Sequence, residues 1–192
     1  MRHRTHLALL LFAASILSTP ATAQDVRNPP PIRIPTLFGQ TLIIGTYFPK
    51  EVVNFSEKLS AGTIVINTTQ RRLYYVMGDG KALRYAIGVG KEGYAWAGTN
   101  TISSKREWPG WTPTAEMRKR KPGLPAYMPG GKDNPLGARA LYLGNTLYRI
   151  HGTNEPWLMG AAESSGCIRM TNDDVIDLYD RARIGATVIV RR

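Results

Sequence analysis

Cysteine is almost absent from this chain. Cys167 is the only one in 192 residues, which excludes an internal disulfide and leaves the fold to rest on a hydrophobic core. Histidine is nearly as scarce: His3 and His6 stand at the extreme N-terminus, and His151 is the only one in the body of the chain. Long apolar runs are missing too. The longest, Leu7 to Leu17, is too short to span a bilayer as a helix. Negative charge is in deficit, with 14 acidic residues against 25 Lys and Arg and a formal net charge of +11.

The short apolar run has a different reading. It comes after the basic segment MRHRTH and precedes Ala21-Thr22-Ala23, the small-residue pattern cut by signal peptidases. Residues 1–23 are therefore expected to be a secretory signal, and no cysteine stands at the cleavage point to take a lipid. Cleavage removes Arg2, Arg4, His3 and His6, leaving Gln24 to Arg192 with a charge of +9, one histidine and one cysteine. An exported basic protein is expected to meet the anionic carboxylates and phosphates of a cell envelope in the periplasm, not nucleic acid. The run Arg118-Lys119-Arg120-Lys121 then reads as a solvated loop face.

Residues 24–60 open with the proline-rich RNPPPIRIP and form a lead-in; residues 61–192 carry the main domain. That domain reads as mainly β. Short β-branched segments (TIVINT, RRLYYVM, ALRYAIGVG, TNTISSKRE, ALYLG, TLYRIHG, ATVIVRR) are separated by turn signals, of which Gly78-Asp79-Gly80 is the strongest hairpin marker. One helix is predicted directly after Cys167. Thr171 is its N-cap, Asp174 holds the capping-box position, Val175, Ile176, Leu178, Tyr179 and Ala182 form its apolar face, and Gly185 is placed to end it.

Two stretches interrupt the strands. Trp108 to Gly137 is long and irregular, rich in proline and glycine, and holds Trp111; such a segment is expected to be a lid over a groove. Gly88-Val89-Gly90-Lys91-Glu92-Gly93 fits G-x-G-x-x-G, but a dinucleotide site also needs this loop to open a helix. The next residues, YAWAGTNTISS, have strand and turn character, so the glycines read as serving a tight turn or a close backbone approach.

A thiol attacks carbonyls as its thiolate, and a free cysteine is only a few per cent ionised near neutrality. A neighbouring imidazole can take the proton. Fifteen residues separate His151 from Cys167, enough to fold back, and Gly152 and Gly166 adjoin the two. Backbone N–H groups at Gly166 and Cys167 are candidates for an oxyanion site. The pair is either a catalytic couple or a packed cysteine with a strand-end histidine.

The stretch IHGTNEPWLMGAAESSGCIRMTNDDVIDLYDRARIGATVIV resembles the signature region of the L,D-transpeptidases, the YkuD-type catalytic domain. NPLGARALYLG and WTPTAEM also resemble family segments, and the likeness runs from about Ala61 to Arg192. The resemblance implies a β-sandwich-like fold with a groove over the cysteine. It implies Cys167 as nucleophile, His151 as its base and the Gly152 carbonyl orienting the imidazole. It implies attack on peptidoglycan stem peptides after the L-centre of diaminopimelate, release of D-alanine, and transfer to an amine of another stem peptide or an envelope protein. Water as acceptor would give a hydrolase instead, and a non-catalytic wall-binding module would leave Cys167 dispensable. No metal or cofactor is implied. Arg169 is a candidate for a substrate carboxylate or for a salt bridge to the following helix. Ser165 stands where many members have histidine; with Gly166 and Trp111 it is a candidate substrate contact.

Overall fold

The computed structural model describes residues 32–35, 41–44, 48–90, 96–160, 162–164 and 166–192. The expected signal segment and Ser165 lie outside them.

Strands dominate. β1 (Ile32–Pro35) and β2 (Thr41–Ile44) form an antiparallel pair in the lead-in. β3 (Glu51–Asn54), β4 (Ile64–Asn67), β5 (Arg72–Gly78), β6 (Lys81–Ala86), β8 (Gly98–Glu107), β9 (Arg139–Leu143), β10 (Arg149–His151), β12 (Ile168–Arg169) and β13 (Thr187–Arg191) make one sheet. Its order is β12-β10-β9-β8-β13-β4-β5-β6-β3, and β7 (Val89–Gly90) pairs separately with β11 (Ala162–Ser164). Strand β3, within the lead-in, pairs along β6 at the sheet's edge, and Phe55 packs with Val65, Val76 and Ala82.

The alternation of the sequence explains the layering. Ile64, Ile66, Leu73 and Tyr85 from one part of the sheet share a single core with Leu141, Leu143, Ile150 and Ile168 from the other. The sheet thus folds over on itself, in keeping with the expected sandwich-like, mainly β architecture. Asp79 and Gly80 both have positive φ (50° and 67°), the requirement of a type I′ hairpin, as the Asp-Gly signal anticipated.

Helix α2 (Asn172–Arg181) lies where it was expected. The Thr171 hydroxyl caps it by accepting the Asp174 N–H at 3.2 Å, and Val175 and Leu178 are buried against the sheet. It ends earlier than Gly185. The C-cap is Ala182, and the Lys105 ammonium from β8 donates to the Tyr179 and Ala182 carbonyls, so no glycine cap is needed there. Gly185 instead makes the turn into β13 at φ +87°.

Two further helical pieces depart from the single predicted helix. α1 (Ala115–Arg120) sits within the segment expected to be a lid and buries no residue; Arg118, Lys119 and Arg120 occupy its last turn, where cations suit the helix dipole. The basic run is therefore partly helical, not wholly loop. A 3-10 turn, Pro156–Leu158, comes after the histidine strand.

A polar cluster pins α2 to β6. The buried Tyr85 hydroxyl donates to Asp177 at 2.6 Å, and Asp177 also receives Lys50 and Arg181. The Arg181 hydrogen bond leads in holding the Asp177 carboxyl below its ordinary range; burial leads in pushing the Tyr85 phenol up. Asp177→Ala is expected to leave the Tyr85 hydroxyl without its acceptor, at about 1–3 kcal/mol of stability. Equilibrium denaturant unfolding checks it; Tyr85→Phe in the same background should recover part of the loss.

Candidate active site

The site is set by the register of two short strands. β10 and β12 run parallel, pairing Ile150 with Ile168 and His151 with Arg169. Paired residues in a parallel ladder point to the same face, and neighbours along a strand alternate. Ile150 and Ile168 are in the core. His151 and Arg169 therefore share the opposite face, with Arg149 one alternation back on β10 and Cys167 immediately before β12. The thiol of Cys167 donates to the Leu147 carbonyl at 3.7 Å, placing it along the entry to the histidine strand. The strand of His151 and the strand that directly follows Cys167 are thus brought side by side by a sheet pairing, Met170 N–H to His151 carbonyl at 2.8 Å continuing the ladder.

His151 is 4% exposed, and its Nδ1 lies 2.6 Å from the Gly152 carbonyl oxygen. A carbonyl can only accept, so Nδ1 carries the proton and Nε2 keeps its lone pair. Burial pulls the imidazole pKa down to about 3, the Arg169 and Arg149 charges add to this, and the Gly152 bond opposes it. His151 is therefore held neutral through the physiological range, with the Nε2 lone pair unprotonated.

Arg169 lies on the same face with its guanidinium 3.8 Å from Glu155 in the loop after β10. Its ion-pair partner is therefore this loop and not the following helix. Its backbone pairs with Gly88 in both directions at 2.9 Å. That pairing accounts for the G-x-G-x-x-G segment: Gly88 makes a close backbone approach to the cysteine strand, Val89–Gly90 forms β7, and among the described residues no helix opens there. Gly166 is buried at φ +101°, the left-handed region that favours glycine, immediately before Cys167.

The lid is ordered. Trp108 N–H donates to the Ala138 carbonyl at 2.8 Å, and Trp111 and Met128 exchange both backbone bonds at 2.8 Å. Asn134 donates to the Met128 and Pro129 carbonyls and accepts the Leu136 N–H. The described hydrogen bonds of Trp111 stay within the lid. The exposed apolar side chains flanking the histidine–cysteine loop are Leu147 and Trp157, neither singled out by sequence.

Close packing behind His151 makes small residues obligatory. A Cβ on Gly137, at φ +64°, would sit 2.4 Å from the Thr153 nitrogen and 2.6 Å from the Gly152 carbonyl carbon. Gly137→Ala is expected to cost about 1–3 kcal/mol or more. Thermal unfolding should show it, whereas Gly123→Ala, with open space around its Cβ, should change little.

Among the described residues no group of three or more His, Cys, Asp or Glu could hold a metal ion. The chemistry available is a thiol, a neutral imidazole held in one tautomer, and guanidinium charge beside them.

Known proteins resemble this chain in sequence and fold. The sequence profile of the L,D-transpeptidase catalytic domain matches residues 61–190. The probable L,D-transpeptidase ErfK/SrfK of Escherichia coli is 42% identical over 134 residues, 65% of this chain and 42% of the relative. A crystal structure of a probable carnitine operon oxidoreductase from Brucella melitensis is 47% identical, with a TM-score of 0.52 over 75% of this chain and 94% of that one. The catalytic domain of the Enterococcus faecium L,D-transpeptidase shares the fold, with a TM-score of 0.53 at 21% identity, covering 70% of this chain and 100% of that one. The chain spans about half the length of the first curated relatives it matches. With the profile covering most of the chain, this chain belongs to the L,D-transpeptidase catalytic-domain family.

Proposed function

We propose that the chain is a cysteine-dependent L,D-transpeptidase of the exported cell envelope, acting on peptidoglycan stem tetrapeptides. The observation that carries this reading is the parallel pairing of β10 with β12, which brings the strand of His151, its Nδ1 bonded to the Gly152 carbonyl, alongside the strand that directly follows Cys167.

His151 Nε2 takes the thiol proton as Cys167 attacks the carbonyl of the L-centre of diaminopimelate. The Gly166 and Cys167 N–H groups receive the developing oxyanion. The imidazolium returns its proton to the amine of the leaving D-alanine, and a thioester to Cys167 remains. An acceptor amine then attacks the thioester, losing its proton to Nε2, and the thiol is regenerated. The peptide bond's acyl energy passes through the thioester, so no nucleotide is consumed. Arg169, held beside the pair, supplies a guanidinium suited to a substrate carboxylate. Trp111 in the lid and Ser165 complete the proposed substrate contacts. Residues 1–23 act as the export signal, and among the described residues no helix is long and apolar enough to cross a membrane.

The test is mass spectrometry of the purified protein incubated with disaccharide-tetrapeptide. Loss of D-alanine with formation of cross-linked dimers is expected. Loss of D-alanine without dimers, when acceptor is abundant, would make the enzyme a hydrolase. Unchanged substrate with folded protein would leave a wall-binding module.

A further inference from the structure

We propose that Asn172 is a positioning residue that sets the tautomer and direction of the His151 imidazole. The proposal rests on the reading of His151 as the base for Cys167, although its structural half can be measured separately.

Asn172 opens helix α2, and its side-chain oxygen reaches back to the strands. It accepts the Ala138 N–H at 2.9 Å and the Thr153 N–H at 3.3 Å. The second bond matters most. The Thr153 N–H and the Gly152 C=O are the two ends of one peptide unit, planar and trans, so they point in opposite directions. The Gly152 end accepts the imidazole Nδ1–H at 2.6 Å. Holding the N–H end fixes the plane of this peptide, and the carbonyl is then aimed at the ring. Rotation of the plane would release both bonds together.

The packing around the amide oxygen is close. Cβ atoms added to Gly137 and to Gly152 would each fall 2.3 Å from it. Gly152 N–H is also fixed, by the Arg139 carbonyl at 3.0 Å. The first bond carries the clamp towards the lid. Ala138 adjoins Gly137, whose N–H donates to the Asn134 carbonyl at 3.0 Å, and the buried Asn134 side chain holds the lid carbonyls of Met128 and Pro129. The helix, the lid base and the histidine strand thus meet at one oxygen.

Nitrogen-15 NMR of labelled protein reads the tautomer directly, with the His151 signals identified by their loss in His151→Gln. The wild type is expected to show a single Nδ1–H form near neutral pH. In Asn172→Ala a mixture with the Nε2–H form is expected, and acylation of Cys167 by stem tetrapeptide is expected to slow about tenfold at unchanged pH, the scale of one lost hydrogen bond. Asn172→Asp keeps the acceptor oxygen at a helix start that favours a carboxylate, so it should retain the Nδ1–H form and most of the rate. If Asn172→Ala does not fold, Asn172→Ser, which suits the helix start but is too short to reach both amides, takes its place. A wild-type tautomer and rate in the Ala or Ser variant, with only the melting temperature lowered, would overturn the proposal. So would an Asp variant as impaired as the Ala variant. A tautomer shift in a protein that never acylates would uphold the positioning role and reject the transpeptidase reading.

Discussion

Cys167→Ala is expected to abolish release of D-alanine from stem tetrapeptide, by at least about 10³-fold, while leaving the fold intact. The chain offers no second thiol. Removal of the sulfur therefore removes the thioester route altogether, and the neighbouring imidazole cannot replace a covalent intermediate. The structural cost should be small, since Cys167 is only part-buried and stands outside the buried core. Turnover assays and a denaturation curve separate the two effects. Near-normal turnover in the variant would mean that the chemistry lies elsewhere.

His151→Ala should lower acylation by about 10²–10⁴-fold, the usual contribution of a positioned general base. The pH dependence is the more specific expectation. Burial, with Arg169 and Arg149 adding to it, brings the His151 pKa to about 3. The loss of base function through protonation should then lie near that value, not near 6.5, so the acylation rate should show no histidine limb between pH 5 and 7. Stability changes with a definite sign. The unfolded chain binds this proton below about pH 6.5, whereas the folded chain resists it to about 3. The contribution is complete above 6.5 and is lost as pH falls towards 3, at about 1.4 kcal/mol per pH unit for one proton. His151→Gln should flatten that slope in urea titrations between about pH 4 and 6.5. Asp177 acts lower, because its depressed carboxyl gives up its contribution only below the ordinary carboxylate range.

Much of this architecture was legible in local sequence because the physics involved is local. β-branched alternation marked the strands, Asp79-Gly80 marked a hairpin whose φ values only such residues adopt readily, and Thr171 marked the start of α2. What local pattern missed was decided by partners distant in sequence. The end of α2 falls at Ala182 because Lys105, on another strand, receives its carbonyls. Helix α1 buries nothing, so it leaves no apolar period to read.

The site divides in the same way. His151 and Cys167 stood out by scarcity, but spacing alone left two readings of them open; the β10–β12 register adds that the strand of His151 lies beside the strand directly after Cys167. Glu155 as the partner of Arg169, and Asn172 as the clamp on the Gly152–Thr153 peptide, depend on how a loop and a helix start return to the strands. Gly88 carried a motif-like signal with a misleading shape, and its role emerged only from its pairing with Arg169.

The central claim is that acyl transfer passes through a thioester on Cys167. Its most direct test is intact-protein mass spectrometry of the protein quenched during reaction with disaccharide-tetrapeptide, with peptide mapping of the product. The thioester route predicts an adduct equal to the donor less D-alanine, located on Cys167, absent in Cys167→Ala and strongly reduced in His151→Ala. Turnover of the donor with no adduct at any quench time, or an adduct on another residue, would contradict it.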